Sequence, residues 1–125
     1  MNSLLFYIYL LNAVVLINHE IDSAYWKEWE LFRLPGKITG FLLLHFPLLA
    51  FVLYGLILVR EGTRAGLWCS LILAGGGIFA WSIHTWFIRR GRVEFTTGIS
   101  WFILRTTLVF SLVQLVITVA LMAVQ

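Results

Sequence analysis

The chain has 125 residues, and its composition is far more apolar than that of a water-soluble domain. Hydrophobic residues make up 61% of it and charged residues only 12%, whereas soluble domains carry about 25% charged residues. A globule of this size lacks the interior volume to bury so many apolar side chains. The net charge of +3 is small, and the basic residues lie at the boundaries of apolar segments. We therefore expect neither a soluble enzyme nor a nucleic-acid-binding protein.

Four apolar segments are each long enough to cross a bilayer, which requires roughly 20 mostly apolar residues. The alternation typical of barrel strands is not visible, and a helix satisfies its backbone hydrogen bonds within one segment in lipid. The sequence therefore predicts an all-α integral membrane bundle of four transmembrane helices, forming a single domain over residues 1–125. The predicted spans cover about residues 3–21, 38–59, 67–88 and 97–123.

The connection between the first two spans has the composition of a segment in the lipid headgroup layer. Between Asp22 and Lys37, aromatic rings are interleaved with charged side chains in the sequence DSAYWKEWELFRLPGK. Such mixtures at the edge of a span are typical of short interfacial helices, and Leu34-Pro35-Gly36 ends the helix. We therefore predict a short interfacial helix here, which serves either as a membrane anchor or as a lid over a site beneath it.

The basic residues predict how the bundle is oriented in the membrane. The first and third connections lie at the same membrane face, which we call face B, and carry six Lys and Arg residues, whereas the opposite face carries two. Because Lys and Arg accumulate in cytoplasmic loops, we predict that face B is cytoplasmic and that both termini lie outside. The six are Lys27, Arg33, Lys37, Arg89, Arg90 and Arg92, and the two are Arg60 and Arg64.

Ionisable side chains lie inside all four spans, although each costs about 2.5–3.5 kcal/mol to insert and usually faces an interior site. With a rise of 1.5 Å per residue, His45 lies about 10 Å from face B, His84 roughly 6 Å and Arg105 about 12 Å. His19 and Glu20 end the first span at the same face. Each span thus places at least one ionisable side chain in the half of the bilayer next to face B. This agreement in depth predicts a shared polar site near that face.

The side chains in this half of the bilayer suit a divalent metal ion. The imidazoles of His19, His45 and His84 are suitable ligands for zinc or iron. Glu20 and Asp22 offer a carboxylate as the fourth ligand or as a general base. A site of this kind keeps a coordination position for water and acts on an amphiphilic substrate. The same residues also predict acid–base chemistry on a lipophilic molecule without a metal.

Other assignments of these side chains remain open. Arg105 takes a catalytic role by holding a carboxylate or an anionic headgroup, or it extends to the headgroups, or it neutralises Glu20 or Asp22. His45 and His84 also suit the axial ligands of haem in an electron-transfer subunit that carries haem or quinone, although their depths differ. In a further class of function, the polar cluster only locks together the helices of a structural or accessory subunit.

Two patterns in the last two spans concern helix packing. The small residues from Gly75 to Gly77 predict the close approach of a neighbouring helix. The last span carries four polar residues three or four positions apart, a stripe that predicts hydrogen bonds to another helix or to a second copy of the protein. The expected partners are membrane lipids, a lipophilic small molecule, and a second copy or a membrane complex. The four polar residues are Thr107, Ser111, Gln114 and Thr118.

Two segments carry a family resemblance: NHEIDSAYWKEWELFRLPG from Asn18 to Gly36, and LLLHFPLL from Leu42 to Leu49. They resemble a family of small bacterial four-helix membrane proteins of unknown function. The resemblance covers the first span, the interfacial segment and the second span, while the second half of the chain matches in hydropathy. It implies the four-helix fold and a location in the inner membrane of a bacterium, and it implies no activity.

Overall fold

A computed structural model describes residues 2–125, and within that range the chain forms five helices and no strand. Four helices are long enough and apolar enough to cross a membrane, which confirms the predicted all-α membrane bundle. A short helix follows the first of them, as predicted. The predicted domain starts at Met1, which lies outside the described residues. The helices are α1 (Asn2–Tyr25), α2 (Glu28–Leu31), α3 (Lys37–Arg60), α4 (Arg64–Arg89) and α5 (Gly98–Ala123).

The ends of the long helices follow local sequence signals. α4 and α5 each start after a threonine whose hydroxyl oxygen accepts a backbone N–H bond, Thr63 from Gly66 at 3.0 Å and Thr97 from Ser100 at 3.2 Å. These bonds satisfy donors that the start of a helix leaves unpaired. α3 starts after Gly36, whose φ of +90° is accessible to glycine at little cost. This turn directs the chain from α2 into the second membrane crossing.

The long helices pack around one another, with α3 and α5 each in contact with both α1 and α4. α4 approaches the end of α3 closely because residue 66 is glycine: a Cβ on Gly66 would lie 2.5 Å from the carbonyl carbon of Leu58. Gly55 of α3 similarly accommodates the ring of Tyr9 from α1. The Tyr9 hydroxyl donates a 2.8 Å hydrogen bond to the carbonyl oxygen of Val52, which fixes α1 against α3.

A buried polar network joins α1, α4 and α5 on the side of the bundle away from face B. Asn12 donates through Nδ2 to Gln114 Oε1 at 2.8 Å and to Ser111 Oγ at 3.1 Å. Gln114 Nε2 donates to the carbonyl and hydroxyl oxygens of Ser70, both at 3.0 Å. The Ser70 hydroxyl also shares a 2.7 Å bond with Thr118. Three residues of the polar stripe, Ser111, Gln114 and Thr118, therefore bond to helices of the same chain, which is one of the two expected outcomes. The hydroxyl of the fourth, Thr107, has no hydrogen-bond partner within residues 2–125.

The glycine run of α4 packs closely at one of its three positions. A Cβ on Gly77 would collide with Ser111 of α5, so this glycine is required by the contact between the two helices. An added Cβ on Gly75 or Gly76 would meet no described atom within 4 Å. The close packing that the sequence predicts is therefore confined to Gly77, because the other two glycines turn away from α5.

Candidate metal centre and cavity

A cavity of about 270 Å³ lies between α1, α3 and α4, with residues of α2 and its C-terminal turn in its lining. Most of its lining is aliphatic or aromatic. Its polar groups gather at one end, where the C-terminal ends of α1 and α4 meet α2 near face B. The polar lining residues are His19, Glu20, Glu28 and His84.

Three side chains at the polar end converge as ligands would around a metal ion. His19 of α1, Glu28 of α2 and His84 of α4 each offer one ligand atom, and these atoms lie within 4.8 Å of one another. His84 Nε2 is 3.1 Å from Glu28 Oε1, close to the separation of about 3.3 Å between neighbouring ligands in a tetrahedral zinc site. The residues present therefore fit a small divalent ion, which would draw in the widest of these separations by up to about 1.5 Å.

Both imidazoles of this group are buried and keep an unpaired nitrogen. His19 and His84 are each 1% exposed, and the Nδ1 atom of each has no hydrogen-bond partner within residues 2–125. Most buried polar atoms in proteins are paired, because an unpaired one costs about 1–3 kcal/mol. The two rings meet edge to face with 4.9 Å between their centres. Within this range, therefore, neither imidazole has a protein partner for both of its nitrogens.

Glu28 completes the group because the chain reverses direction just before it. Lys27 has a left-handed φ of +52°, which ends the run of α1 and turns α2 back over the bundle. Burial raises the pKa of the Glu28 carboxyl. The hydrogen bond with His84 and the attraction to the imidazoles of His84 and His19 outweigh that effect, so this pKa lies below its ordinary value. Glu28 is therefore an ionised carboxylate, the form that binds a metal ion.

Two phenylalanines flank the histidines. Phe95, in the connection between α4 and α5, is fully buried, and its ring centre lies 4.0 Å from that of His84 and 5.6 Å from that of His19. Phe32, directly after α2, lines the cavity with its ring 5.9 Å from that of His84. Apolar walls of this kind lower the local dielectric constant, so interactions between an ion and its ligands are stronger there than in water.

His45 and Glu20 form a separate pair beside the three-ligand group. His45 Nε2 lies 2.5 Å from Glu20 Oε2, and His45 Nδ1 lies 2.6 Å from the carbonyl oxygen of Phe41. A carbonyl oxygen only accepts, so Nδ1 carries a hydrogen, and a second proton must lie between Nε2 and Glu20. Both nitrogens of His45 are thereby engaged. The predicted histidine ligands are thus divided: His19 and His84 belong to the cluster with Glu28, and His45 belongs to Glu20.

The structure does not bring Asp22 or Arg105 to the cluster, and neither is among the described residues that line the cavity. Asp22 is half-buried, near the end of α1. Arg105 is exposed on α5, with its guanidinium 5.2 Å from the ring centre of Trp101. The buried face of α5 contains Leu104 and Thr107, and successive residues of a helix are turned about 100° from each other. The geometry therefore gives no support to the predicted catalytic roles of these two residues.

Glu28 and Phe95 belong to the site but not to the set predicted from the sequence. Both lie in the connections between spans, whereas the residues predicted as ligands are polar residues in or at the ends of the spans. An indication was available for Glu28, since buried imidazoles need partners and the first connection is rich in acids. The spacing of acids along this connection does not show whether Glu28 or Glu30 is the partner, however. The chain reversal at Lys27 decides which of the two carboxylates faces inward.

Comparisons with curated proteins and with solved structures found no match. A family described as being of unknown function, DUF6713, matches residues 5–121. That range contains the helices that line the cavity, the three histidines and both cavity-lining acids. The match confirms the resemblance of the first two spans to an uncharacterised family and extends it to the second half of the chain. The chain therefore belongs to DUF6713, a family of unknown function.

Proposed function

We propose that this protein binds a divalent transition metal ion, zinc or iron, through His19, Glu28 and His84, and acts on a lipophilic or amphiphilic molecule. One observation carries the proposal: three ligand atoms from three separate helices converge at the polar end of an apolar cavity. Two imidazoles and one carboxylate form a ligand set that leaves coordination positions open in known zinc and iron enzymes. Such an ion supplies a Lewis acid for an oxygen atom of the bound molecule.

Hydrogen bonding supports a ligand site over a purely structural cluster. In the network of Asn12 and Gln114 the polar atoms find partners on neighbouring helices, as expected of groups that only lock helices together. His19 and His84 instead each retain an unpaired, buried Nδ1 within residues 2–125. These imidazoles are therefore not fully used in bonds between helices, which leaves them available to a ligand.

Acid–base chemistry is the second role that we propose, and it belongs to Glu20. The proton between His45 and Glu20 follows from the hydrogen bond of His45 to the carbonyl oxygen of Phe41. Glu20 lines the cavity, and His45 is not among the described lining residues. Glu20 therefore delivers this proton to a bound molecule, and His45 is a positioning residue for Glu20.

The same geometry does not favour the haem alternative. An axial ligand needs a free ring nitrogen, but both nitrogens of His45 are hydrogen-bonded. The second predicted axial ligand, His84, keeps a free Nδ1, but its Nε2 lies 3.1 Å from Glu28 Oε1 and its ring packs against that of Phe95. The divalent ion is therefore the cofactor that we propose.

Elemental analysis of the protein, purified into lipid nanodiscs without chelators and equilibrated with zinc or iron(II), tests the metal site. We expect about one ion per chain, and less than about a tenth of that occupancy in His84→Ala, because this variant loses a direct ligand. His45→Ala is the matched control: it removes a histidine from the same half of the bilayer but not from the ligand set, so it should retain the ion.

Two further measurements keep this test decisive. Size-exclusion elution and helical circular dichroism establish that each variant is folded, and His19→Gln replaces His84→Ala if the latter does not fold. A wild-type protein that binds no ion above background contradicts the proposal. Equal metal occupancy in the His84→Ala and His45→Ala variants contradicts it as well.

A further inference from the structure

A gap in the wall of the cavity lies halfway along α4. Gly76 lines the cavity, and a Cβ added to it would meet no described atom within 4 Å. Within residues 2–125, therefore, no side chain closes the wall at this point. Gly76 is at the middle of α4, which runs from Arg64 to Arg89. If α4 spans the membrane, the gap lies near the centre of the bilayer.

The residues around this gap face both the cavity and the outside of the bundle. Leu48 of α3 and Ile72 and Phe79 of α4 line the cavity, yet all three are exposed. Side chains that both line a cavity and are exposed indicate where the cavity approaches the surface, and here this place lies between α3 and α4. Leu48 lies near the middle of α3, again at the depth of the hydrocarbon core. Whatever enters through this opening is therefore soluble in lipid.

We propose that the cavity receives one hydrocarbon chain of a membrane amphiphile, which enters sideways past Gly76. The lining is complementary to such a molecule, because it is apolar except at the end that carries His19, Glu28 and His84. Its volume of about 270 Å³ is close to the lower limit of small-molecule sites, roughly 300 Å³. A cavity of this size suits one hydrocarbon chain better than the two chains of a phospholipid.

The polar end of this amphiphile carries an oxygen donor: a hydroxyl, a carbonyl or a carboxylate. This part of the inference rests on the proposed metal site, since an ion held by three protein ligands takes an oxygen of water or substrate as its next ligand. The entry route is independent of the metal, because it follows from the lining residues and from the bare surface at Gly76.

The two neighbouring glycines provide a matched pair of variants. Gly76→Phe places a ring in the opening, whereas Gly75→Phe places the same ring beside it, at a position that is not among the described lining residues. Both glycines are exposed, and both have no described neighbour within 4 Å of an added Cβ. A difference between the two variants therefore reports on access to the cavity rather than on the stability of the fold.

Photolabelling with a medium-chain fatty acid that carries a diazirine at its chain end, in nanodiscs, tests the inference. We expect crosslinks on Leu48, Ile72 or Phe79 that excess unlabelled fatty acid abolishes. Gly76→Phe should lower this labelling at least about tenfold, and Gly75→Phe should leave it unchanged. Peptide mass spectrometry locates the crosslinks.

Equal labelling of the two variants, or wild-type labelling that the competitor does not reduce, overturns the inference, because the probe then reports only ordinary contact with bilayer lipid. Metal content measured on the same samples separates this failure from that of the proposed function. Bound ion without competed labelling overturns chain binding and leaves the metal site intact. Labelling that depends on Gly76 in a protein that binds no ion supports chain entry, but it contradicts the metal site and the oxygen-donor assignment.

Discussion

Two groups of buried polar residues in this protein differ in hydrogen bonding. Asn12, Gln114 and Ser70 bond to one another across three helices. His19 and His84 each keep an unpaired ring nitrogen within residues 2–125, next to a cavity. Inside a membrane bundle no bulk water compensates for an unpaired group. The first group therefore stabilises the fold, and the second group contains the side chains that remain available to bind a ligand.

Replacing Asn12 by Leu is expected to lower the free energy of unfolding by about 1–2 kcal/mol, since bonds between membrane helices contribute about 0.6 kcal/mol each on average and up to about 1.7. The change removes the donor to Ser111 and Gln114. Equilibrium unfolding in mixed detergent micelles measures the effect. Asn18→Leu is the control, because Asn18 is exposed and donates to the carbonyl oxygen of Val14 within α1. Equal losses in both variants would contradict a stabilising role for the network.

Individual helices contribute differently to the fold and to the site. The N-terminal end of α4 packs closely on α3 at Gly66. At the middle of α4, a Cβ added to Gly76 would meet no described atom within 4 Å. α2 is short and depends on its neighbours: its Trp29 packs on Phe41 of α3 with 5.5 Å between ring centres, and its Leu31 joins a buried cluster with Phe95 and Leu104. The α3–α4 hairpin therefore provides rigidity, whereas α2 is positioned by the contacts of its side chains with neighbouring helices.

Gly66→Ala is expected to destabilise the bundle by about 1–3 kcal/mol, a typical cost of overpacking. The new Cβ would meet the backbone of Leu58 at 2.5 Å, and backbone atoms within a helix cannot move aside. Gly75→Ala in the same helix is the control. It has free space around it and gains up to about 1 kcal/mol of helix propensity. Thermal unfolding followed by circular dichroism compares the two, and an unchanged melting temperature for Gly66→Ala would disprove the close approach of α3 and α4.

Removal of the proposed ion is expected to loosen α2, because Glu28 is the ligand that joins this helix to α1 and α4. Hydrogen exchange of the backbone amides in residues 26–36 should accelerate on chelation, while that of α5 stays constant. His84→Ala should show the faster exchange with and without chelator. A protein that demonstrably contains an ion, yet exchanges at the same rate after losing it, would show that Glu28 is not a ligand.

At the scale of the whole molecule, the uneven distribution of basic residues predicts the orientation in the membrane. Six Lys and Arg residues at face B against two at the opposite face predict that face B, and with it the proposed metal site, is cytoplasmic. The opening at Gly76 does not depend on this orientation, because it lies in the middle of α4.

Cysteine labelling measures this orientation. In a Cys69→Ser background, which removes the single native cysteine, we expect a membrane-impermeant maleimide to label Glu61→Cys in intact cells. Val93→Cys should be labelled only after lysis, since it lies at face B. Both positions are exposed in connections between helices. The reverse pattern would place both termini in the cytoplasm and contradict the prediction.

Part of the site follows from the sequence alone. The depths of His19, Glu20 and His84 follow from their positions along the helices, and the three indeed line one cavity. Depth does not specify direction around the helix axis, however. Arg105 lies at a similar depth but faces outward on α5, and Glu28 lies outside the spans but faces inward. A residue's helical position predicts its height in the bundle, and only the packing of the bundle decides what it contacts.

The linear order of residues determined the membrane bundle and the segment between its first two helices, because a bilayer requires a fixed length of apolar chain and excludes unpaired backbone. Only the tertiary structure decided that Glu28 joins His19 and His84, that His45 pairs with Glu20, and where the cavity opens. Those outcomes depend on the rotation of each helix about its axis and on one left-handed residue before α2. Contacts between distant segments set both, and no local pattern in the chain encodes them.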